Sequence, residues 1–145
     1  MSFLLDTNVV SELRKTRPDA RVVDWYARHR SAEVYLSALV VGEVRQGVER
    51  LRRRDNDRGD SPDDGRVAAL ERWLDGLLAT YADRILPVTA EVAQEWGRLN
   101  AAPTPPPVVD GLMAATAKVH RLTLVTRNVA DVARTGVPVV DPFAG

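Results

Sequence analysis

Polar and apolar residues along this chain follow two alternating patterns: short apolar runs, and longer segments with apolar residues at helical spacing. The short runs predict strands. These are Ser2–Leu5, Val34–Leu36, Ile85–Val88, Leu122–Val125 and Val137–Val140. The clearest helical segment is Gly65–Ala82, where leucine and aromatic residues recur at helical intervals. Strands separated by helices indicate an α/β fold with a parallel sheet covered by helices on both faces.

Capping residues and prolines set the predicted helix ends. Polar residues suited to N-capping precede three of the helical segments. They are the group Asp6-Thr7-Asn8, Ser37 and Thr89. The proline-rich segment 103–107 cannot be helical, and the predicted helix Val108–His120 follows it. The stretch Asp55–Gly65 contains Asp, Gly and Pro, so we expect it to be a mobile loop.

The composition fits one compact domain spanning residues 1–145. Hydrophobic residues make up 45% of the chain and charged residues 28%, which excludes an intrinsically disordered protein. The absence of cysteine excludes disulfides and thiolate zinc sites. The first residues lack the basic start and the long apolar stretch of a signal peptide or membrane span, so we expect a soluble cytoplasmic protein.

Charge is balanced overall but unevenly distributed. The formal net charge is zero, and Lys15 and Lys118 are the only lysines among 20 basic residues. Five arginines crowd the segment 44–54, and the acidic segment 55–64 follows it. Two interpretations remain open. The common one is a solvated helix end that leads into a charged loop, and the other is an arginine patch that binds phosphate.

Three carboxylates stand where a packed α/β domain does not usually place a charge. Asp6 ends the first apolar run, Glu43 interrupts the apolar stripe of a predicted helix, and Asp110 opens a helix of mostly apolar residues. Each has a purely structural interpretation, because Asp6 or Asp110 could cap its helix and Glu43 could pair with an arginine. We expect that these three interpretations do not all hold together, so the sequence favours a shared metal site.

Chain order directs two polar segments to one edge of the sheet. In open parallel sheets, ligands bind beyond the carboxyl ends of the strands, at the point where strand order reverses. Asp6 follows the first predicted strand, and the segment 126–131 follows the fourth. We therefore expect both segments at the functional edge.

Four segments, taken together, resemble the PIN-domain nucleases, in particular the VapC-type toxins of toxin–antitoxin pairs. The segments are LDTNVVSE at residues 5–12, SALVVGEV at 37–44, VVDGLMAATA at 108–117 and LTLVTRNVAD at 122–131. No single segment is specific to this family, but their order and spacing are. The resemblance extends to the closing Asp141-Pro142-Phe143.

The resemblance implies a five-stranded parallel sheet and cleavage of RNA by a water that a metal activates. The metal should be magnesium, with manganese as the alternative, because oxygen ligands suit hard divalent cations. Asp6 and Asp110 should hold it directly, and Glu43 should bind it or orient its water. Thr7, Thr126 and Asn128 are the candidates for positioning a water or a phosphate oxygen.

The fourth acidic position departs from the family pattern. Many relatives carry an acid in the segment 126–131, often where this chain has Asn128. An amide oxygen can still bind a hard cation, but it adds no charge. Asp131, one helical turn later, is the alternative metal ligand. Whether the site binds one metal ion or two is likewise open.

Partners also follow from the resemblance: an RNA substrate, a small antitoxin protein and a second copy of the chain in a homodimer. The sequence does not name the RNA, because recognition of RNA loops and single strands depends on shape. Two other classes stay open, a PIN-like module that binds RNA or protein without cutting, and an acid-pocket phosphatase. The group Asp6-Thr7-Asn8 lacks the second Asp of the usual aspartyl-nucleophile loop, which counts against the phosphatase.

Overall fold

The computed structural model describes residues 1–30, 33–57 and 65–144. The strands in these ranges are β1 (Phe3–Leu5), β2 (Val34–Ser37), β3 (Ile85–Leu86), β4 (Thr123–Val125) and β5 (Val139–Val140). The helices are α1 (Thr7–Arg14), α2 (Ala20–His29), α3 (Ala38–Asp57), α4 (Arg66–Thr80), α5 (Ala90–Asn100), α6 (Val108–Val119) and α7 (Val129–Val132), which a short 3-10 turn at Ala133–Thr135 follows. Within the described ranges, no helix combines the length and the apolar character needed to cross a membrane.

The strands form one parallel sheet in the order β3-β2-β1-β4-β5. β1 lies at its centre, with Leu4 opposite Tyr35 of β2 and Leu124 of β4. Every residue of β1 and β4 is buried, because helices cover both faces of the sheet and leave no solvated side. The predicted α/β fold with a five-stranded parallel sheet is therefore confirmed.

Strand order reverses at β1, and this reversal decides where a ligand would bind. The chain moves outward from β1 through β2 to β3, and then returns to the other side of β1 to form β4 and β5. With right-handed crossovers, α1–α4 cover one face of the sheet and α5–α7 cover the other. The packing of α3 on α4 and of α5 on α6 agrees with these two layers. The switch point lies between β1 and β4, where open sheets bind ligands.

The core holds the ends of these helices in place around the switch point. Leu4, Leu36 and Leu124 are fully buried in the sheet, and Met113 of α6 is fully buried in the same core. Truncating such a side chain to alanine costs about 2–5 kcal/mol. Between its larger residues, α6 buries a run of alanines, which lets the helix lie close to the sheet. This packing fixes the first turn of α6 beside the carboxyl ends of β1 and β4.

Several sequence-based boundaries differ from the structure: the strands β3 and β5 and the helix α4 are shorter than predicted, and two further differences lie at β2 and α3. Ser37 ends β2 rather than only preceding α3, although its hydroxyl does accept a hydrogen bond from the Leu39 amide at 3.0 Å, as a cap would. The predicted loop Asp55–Gly65 begins too early, because α3 continues to Asp57. Asp55, within this extension, lies 3.7 Å from Arg66 of α4. The rest of that predicted loop, 58–64, lies outside the described residues.

Candidate active site

Asp6 lies directly after β1, at the centre of the carboxyl edge of the sheet. It is the N-cap of α1, and its Oδ1 accepts a hydrogen bond from the Thr7 amide at 2.7 Å. The capping interpretation of Asp6 is therefore correct, but it accounts for one oxygen only. The residue is 5% exposed, so its second oxygen is also largely removed from water and needs partners inside the protein.

Thr126 supplies the main partner of that second oxygen. Its hydroxyl donates to Asp6 Oδ2 at 2.7 Å and accepts a hydrogen bond from the Asn128 amide at 3.0 Å. Thr126 follows β4 and is fully buried. The hydroxyl therefore joins the end of β1 to the loop after β4, across the switch point.

Asn8 completes this junction, a role beyond the helix capping that its position in the sequence suggested. Its Nδ2 donates to Asp6 Oδ2 at 3.3 Å and to Thr126 Oγ1 at 3.2 Å, while its Oδ1 accepts from the Arg127 amide at 3.2 Å. One side chain thus contacts both the carboxylate and the backbone of the β4–α7 loop. The sequence offered one signal, a run of three polar residues directly after a buried strand.

Glu43 lies in the second turn of α3 and points its carboxylate toward the first turn of α1. Its Oε1 accepts a hydrogen bond from the Thr7 hydroxyl at 2.6 Å. The side chain is half-buried, and no arginine or lysine in the described parts of the chain forms an ion pair with it. The alternative that Glu43 serves a salt bridge to an arginine is therefore wrong.

Asp110 lies in the first turn of α6, but its side chain does not cap that helix. Pro107 is the N-cap and has no side-chain hydrogen bond, and no described residue donates a hydrogen bond to the Asp110 carboxylate. Burial, together with the negative charges of Asp6, Asp131 and Glu43, raises the pKa of Asp110 from 3.8 to about 6. Acids from three other segments therefore act on Asp110 at this edge.

Asp131 and Asn128 occupy the outer rim of the same region. Asp131 is exposed in the first turn of α7 and lines a cleft of about 200 Å³ whose opposite wall is the proline-rich segment 104–107. Asn128 is the N-cap of α7, and its side chain makes no hydrogen bond to the residues that the structure describes. The negative charge of Asp131 raises the pKa of Asp110. The side-chain oxygen of Asn128 accepts no hydrogen bond from the described residues.

The four carboxylates carry negative charge that the surrounding protein does not neutralise. Across residues 1–30, 33–57 and 65–144, no basic side chain forms an ion pair with Asp6, Glu43, Asp110 or Asp131. Arg127 is the nearest basic residue in sequence to Thr126, but its guanidinium lies over the Phe143 ring, 4.6 Å from the centroid. Hydrogen bonds from neutral hydroxyl, amide and backbone groups are therefore the support that Asp6 and Glu43 receive.

The donor set fits a hard divalent cation, although the side chains do not converge on one point. All candidate ligands are carboxylate oxygens, the type that magnesium and manganese prefer. Among the described residues, no three His, Cys, Asp or Glu side chains are placed so that they could hold a metal ion together. Asp6 and Glu43 instead each turn an oxygen toward a threonine hydroxyl.

The arginine-rich segment divides into two parts. Arg45 and Arg52 pair with Glu71 of α4, and Arg52 also pairs with Glu49 at 2.5 Å. For these two arginines the interpretation as a solvated, salt-bridged helix surface holds. Arg54, two residues after Arg52 on α3, has no such partner among the described residues.

Comparison with known proteins gives one family. The model of the PIN domain matches residues 3–136, which include all four carboxylates. Two relatives match along nearly their whole length. The chain is 35% identical to "Toxin FitB" of Neisseria gonorrhoeae, over 97% of this chain and 98% of that protein. It is 32% identical to "VapC ribonuclease Y4jK" of Sinorhizobium fredii, over 97% of each.

A solved structure agrees with these matches. The fold superimposes on the "Crystal Structure of FitAcB from Neisseria gonorrhoeae" with a TM-score of 0.83 and 33% sequence identity. The alignment covers 97% of this chain and 98% of that one. The similarity in sequence and the similarity in fold therefore both extend over nearly the whole chain.

Proposed function

This chain belongs to the PIN-domain family, as a VapC-type member, and from that premise we propose that it is a metal-dependent endoribonuclease acting as the toxin of a toxin–antitoxin pair. One observation carries the proposal. Asp110 has no basic partner among the described residues, and burial together with the charges of Asp6, Asp131 and Glu43 at the switch point of the sheet raises its pKa to about 6. Such uncompensated charge is a cost to stability unless a cation offsets it.

Asp6 and Asp110 would hold the metal directly, and Glu43 would bind it or orient a water beside it. A divalent cation in such a site supplies a polarised water and screens the phosphate charge. Asp6 suits the role because it is nearly fully buried and three different groups donate to its carboxylate, which limits its rotamers. Pre-positioned ligands of this kind lose little entropy when the substrate arrives.

Thr7, Asn8 and Thr126 hold these carboxylates in place. The Thr7 hydroxyl donates to Glu43, and the Thr126 hydroxyl donates to Asp6, so each positions an acid from another part of the chain. Asn8 fixes the backbone of the β4–α7 loop through the Arg127 amide. We propose that contacts of Thr7 and Thr126 with water or with a phosphate oxygen would add to these roles.

A small antitoxin protein and a second copy of the chain are the proposed protein partners. The solved structure "FitAB bound to IR36 DNA fragment" has a TM-score of 0.83 and 32% identity over 97% of this chain. By analogy, the antitoxin would cover the acidic edge and block access of RNA. The exposed position of Asp131 and Asn128 makes that edge reachable from outside.

A nuclease assay tests the proposed activity. With 5′- and 3′-labelled single-stranded RNA, we expect cleavage in magnesium, none in EDTA, and products that carry a 5′-phosphate. A phosphomonoester such as p-nitrophenyl phosphate should remain intact under the same conditions. Loss of RNA cleavage together with retained RNA binding would point to the non-catalytic module instead, and hydrolysis of the monoester would favour the phosphatase.

The fourth ligand is proposed to be Asp131 rather than Asn128. Asp131→Asn should raise the magnesium concentration needed for half-maximal cleavage by about 10-fold, because it deletes one negative charge that acts on the site. Asn128→Ala should leave that concentration nearly unchanged. Asn128→Asp should lower it, because affinity of oxygen sites rises with ligand charge.

Magnesium titrations of the three variants on one RNA would decide between the two positions. A larger loss in Asn128→Ala than in Asp131→Asn would place Asn128 in the site. Identical titration curves for all three variants and the parent would exclude the whole segment from metal binding.

A further inference from the structure

A groove of about 600 Å³ lies between α1, α3 and α4, away from the carboxylates. Its floor is apolar and includes Leu51 and Leu70, and its rim carries Arg14, Arg54 and Arg66. Arg66 pairs with Asp55 at 3.7 Å. Neither Arg14 nor Arg54 has an acidic partner within residues 1–30, 33–57 and 65–144. The rim therefore keeps two unneutralised guanidinium groups on a concave surface.

The distribution of acidic residues on α3 and α4 makes this surface distinct. Glu49 and Glu71 neutralise Arg45 and Arg52, which lie outside the groove. Asp55 of α3 pairs with Arg66 on the rim, so Arg14 and Arg54 are the groove arginines without an acidic partner among the described residues.

The groove is also connected to the carboxylate site by two helices. α1 begins directly after Asp6 and ends at Arg14, while α3 carries Glu43 in its second turn and Arg54 farther along. At about 1.5 Å per residue, Arg14 lies about 10 Å from Thr7, and Arg54 lies about 16 Å from Glu43. Both helices cover the same face of the sheet and contact each other. A single strand of RNA that extended from the carboxylates along α1 and α3 would therefore reach the groove.

We propose that this groove binds the phosphates of the RNA strand some nucleotides away from the cleaved bond. At about 3.4 Å per stacked nucleotide, 10–16 Å corresponds to about three to five nucleotides. Arginine suits the role, because its planar guanidinium forms paired hydrogen bonds to phosphate. Trp73 lines the same groove with Arg14 5.9 Å from its ring centroid, so a base has an aromatic and a guanidinium surface beside it.

This inference rests on the proposed RNA cleavage and adds a second contact region to it. The test uses the double variant Arg14→Gln/Arg54→Gln, made in the full chain with Asp6→Asn to prevent cleavage. Its matched control is Arg50→Gln/Arg72→Gln in the same background. Arg50 and Arg72 are exposed on α3 and α4, form no ion pair among the described residues and do not line the groove.

Binding of fluorescein-labelled single-stranded RNA of three and of twelve nucleotides would be measured from 50 to 300 mM salt. For the longer RNA, the groove variant should lose about 1.4 from the slope of log affinity against log salt, since each phosphate contact contributes about 0.7. At 50 mM salt its affinity should fall on the order of 50-fold. The control variant should keep the parental slope, and the shorter RNA should bind all variants equally.

Several outcomes would overturn the inference. If the groove variant and the control lose the same affinity for the longer RNA, the groove makes no specific contact. The affinity of a ten-residue glutamate peptide would be measured for the same variants. If the groove variant loses as much affinity for this peptide as for the RNA, the groove selects acidic segments of proteins rather than phosphate. RNA cleavage is also measured with the chain that retains Asp6. If this chain cleaves RNA while the groove variant binds like the control, only the groove proposal fails. If it neither cleaves nor binds RNA, the groove proposal and the nuclease proposal both fail.

Discussion

Asp110→Asn and Asp6→Asn are expected to lower the rate of RNA cleavage by about 100-fold or more while the protein still folds. Mutation of a residue that only supports a metal ligand costs about 10–100-fold, and a ligand itself should cost at least as much. The amide keeps the shape of the carboxyl group and deletes its charge. Single-turnover cleavage rates of each purified variant in saturating magnesium would give this number.

The two substitutions should differ in stability, because the two carboxylates have different partners. Asp6 accepts hydrogen bonds on both oxygens, so an amide nitrogen at one position would leave the buried Thr126 hydroxyl without its acceptor. That loss costs about 1–3 kcal/mol. Asp110 accepts no hydrogen bond from the described residues, and its substitution relieves burial of a charge among other acids. Asp110→Asn should therefore be the more stable of the two at neutral pH.

The pH dependence of stability gives Asp110 a second readout that does not require catalysis. Its pKa is raised from 3.8 to about 6 in the folded protein, so between these values the folded state binds a proton that the unfolded state has released. The contribution of Asp110 to the free energy of unfolding is therefore favourable at low pH, falls as the pH rises through this range and stays unfavourable above it. Asp110→Asn should remove that fall.

Thermal unfolding of metal-free protein from pH 4 to pH 7 would measure this effect. The control is Asp75→Asn, since Asp75 is exposed on α4 and has no ion pair among the described residues. Cleavage at the parental rate by Asp110→Asn would exclude it from the site. An unchanged pH profile of unfolding would show that its carboxyl group does not interact with the other acids.

Magnesium should raise the melting temperature of the protein by about 5–10 °C over that measured in EDTA. A ligand at about 100 times its dissociation constant stabilises the folded state by about 2.7 kcal/mol, and each kcal/mol moves the melting temperature of a domain of this size by a few degrees. The physical cause is neutralisation of the four interacting carboxylates. Calorimetry at 5 mM magnesium and in EDTA would measure the shift.

Asp110→Asn supplies the internal control for the magnesium effect. Its melting temperature should respond to magnesium by less than half as much as that of the parent, because one ligand charge is gone. Asp75→Asn should respond like the parent. Equal melting temperatures of the parent in magnesium and in EDTA would contradict a metal site at this edge.

The sequence by itself determined the class of fold and the segments that reach the functional edge. Short apolar runs between amphipathic helices specify buried parallel strands, because strands covered on both faces must be apolar throughout. Asp6, Glu43 and Asp110 stand out for the same reason, since a charge in an apolar pattern conflicts with burial. Four family segments in order then identified the PIN domain, which the comparisons confirm.

Only the tertiary structure decided how the site residues support one another. Asn8 contacts Thr126 and the Arg127 amide, and Thr126 contacts Asp6, across more than a hundred residues of chain. Such contacts depend on β1 lying beside β4, and local periodicity does not encode strand order. Clustered acids alone predict that at least one carboxylate has a raised pKa, but only the burial of Asp110 beside three acids from other elements identifies which one.

The tertiary structure also determined which charged residues on the surface pair with one another. The sequence left open whether the arginines of α3 are solvated or bind phosphate, because helical spacing alone does not say which carboxylates face them. Glu71 of α4 neutralises Arg45 and Arg52 through the packing of α3 on α4, while Arg54 faces the groove beside Arg14. Charge pairing between helices is a property of their packing, so composition fixed the number of arginines and the fold fixed which of them remain unpaired.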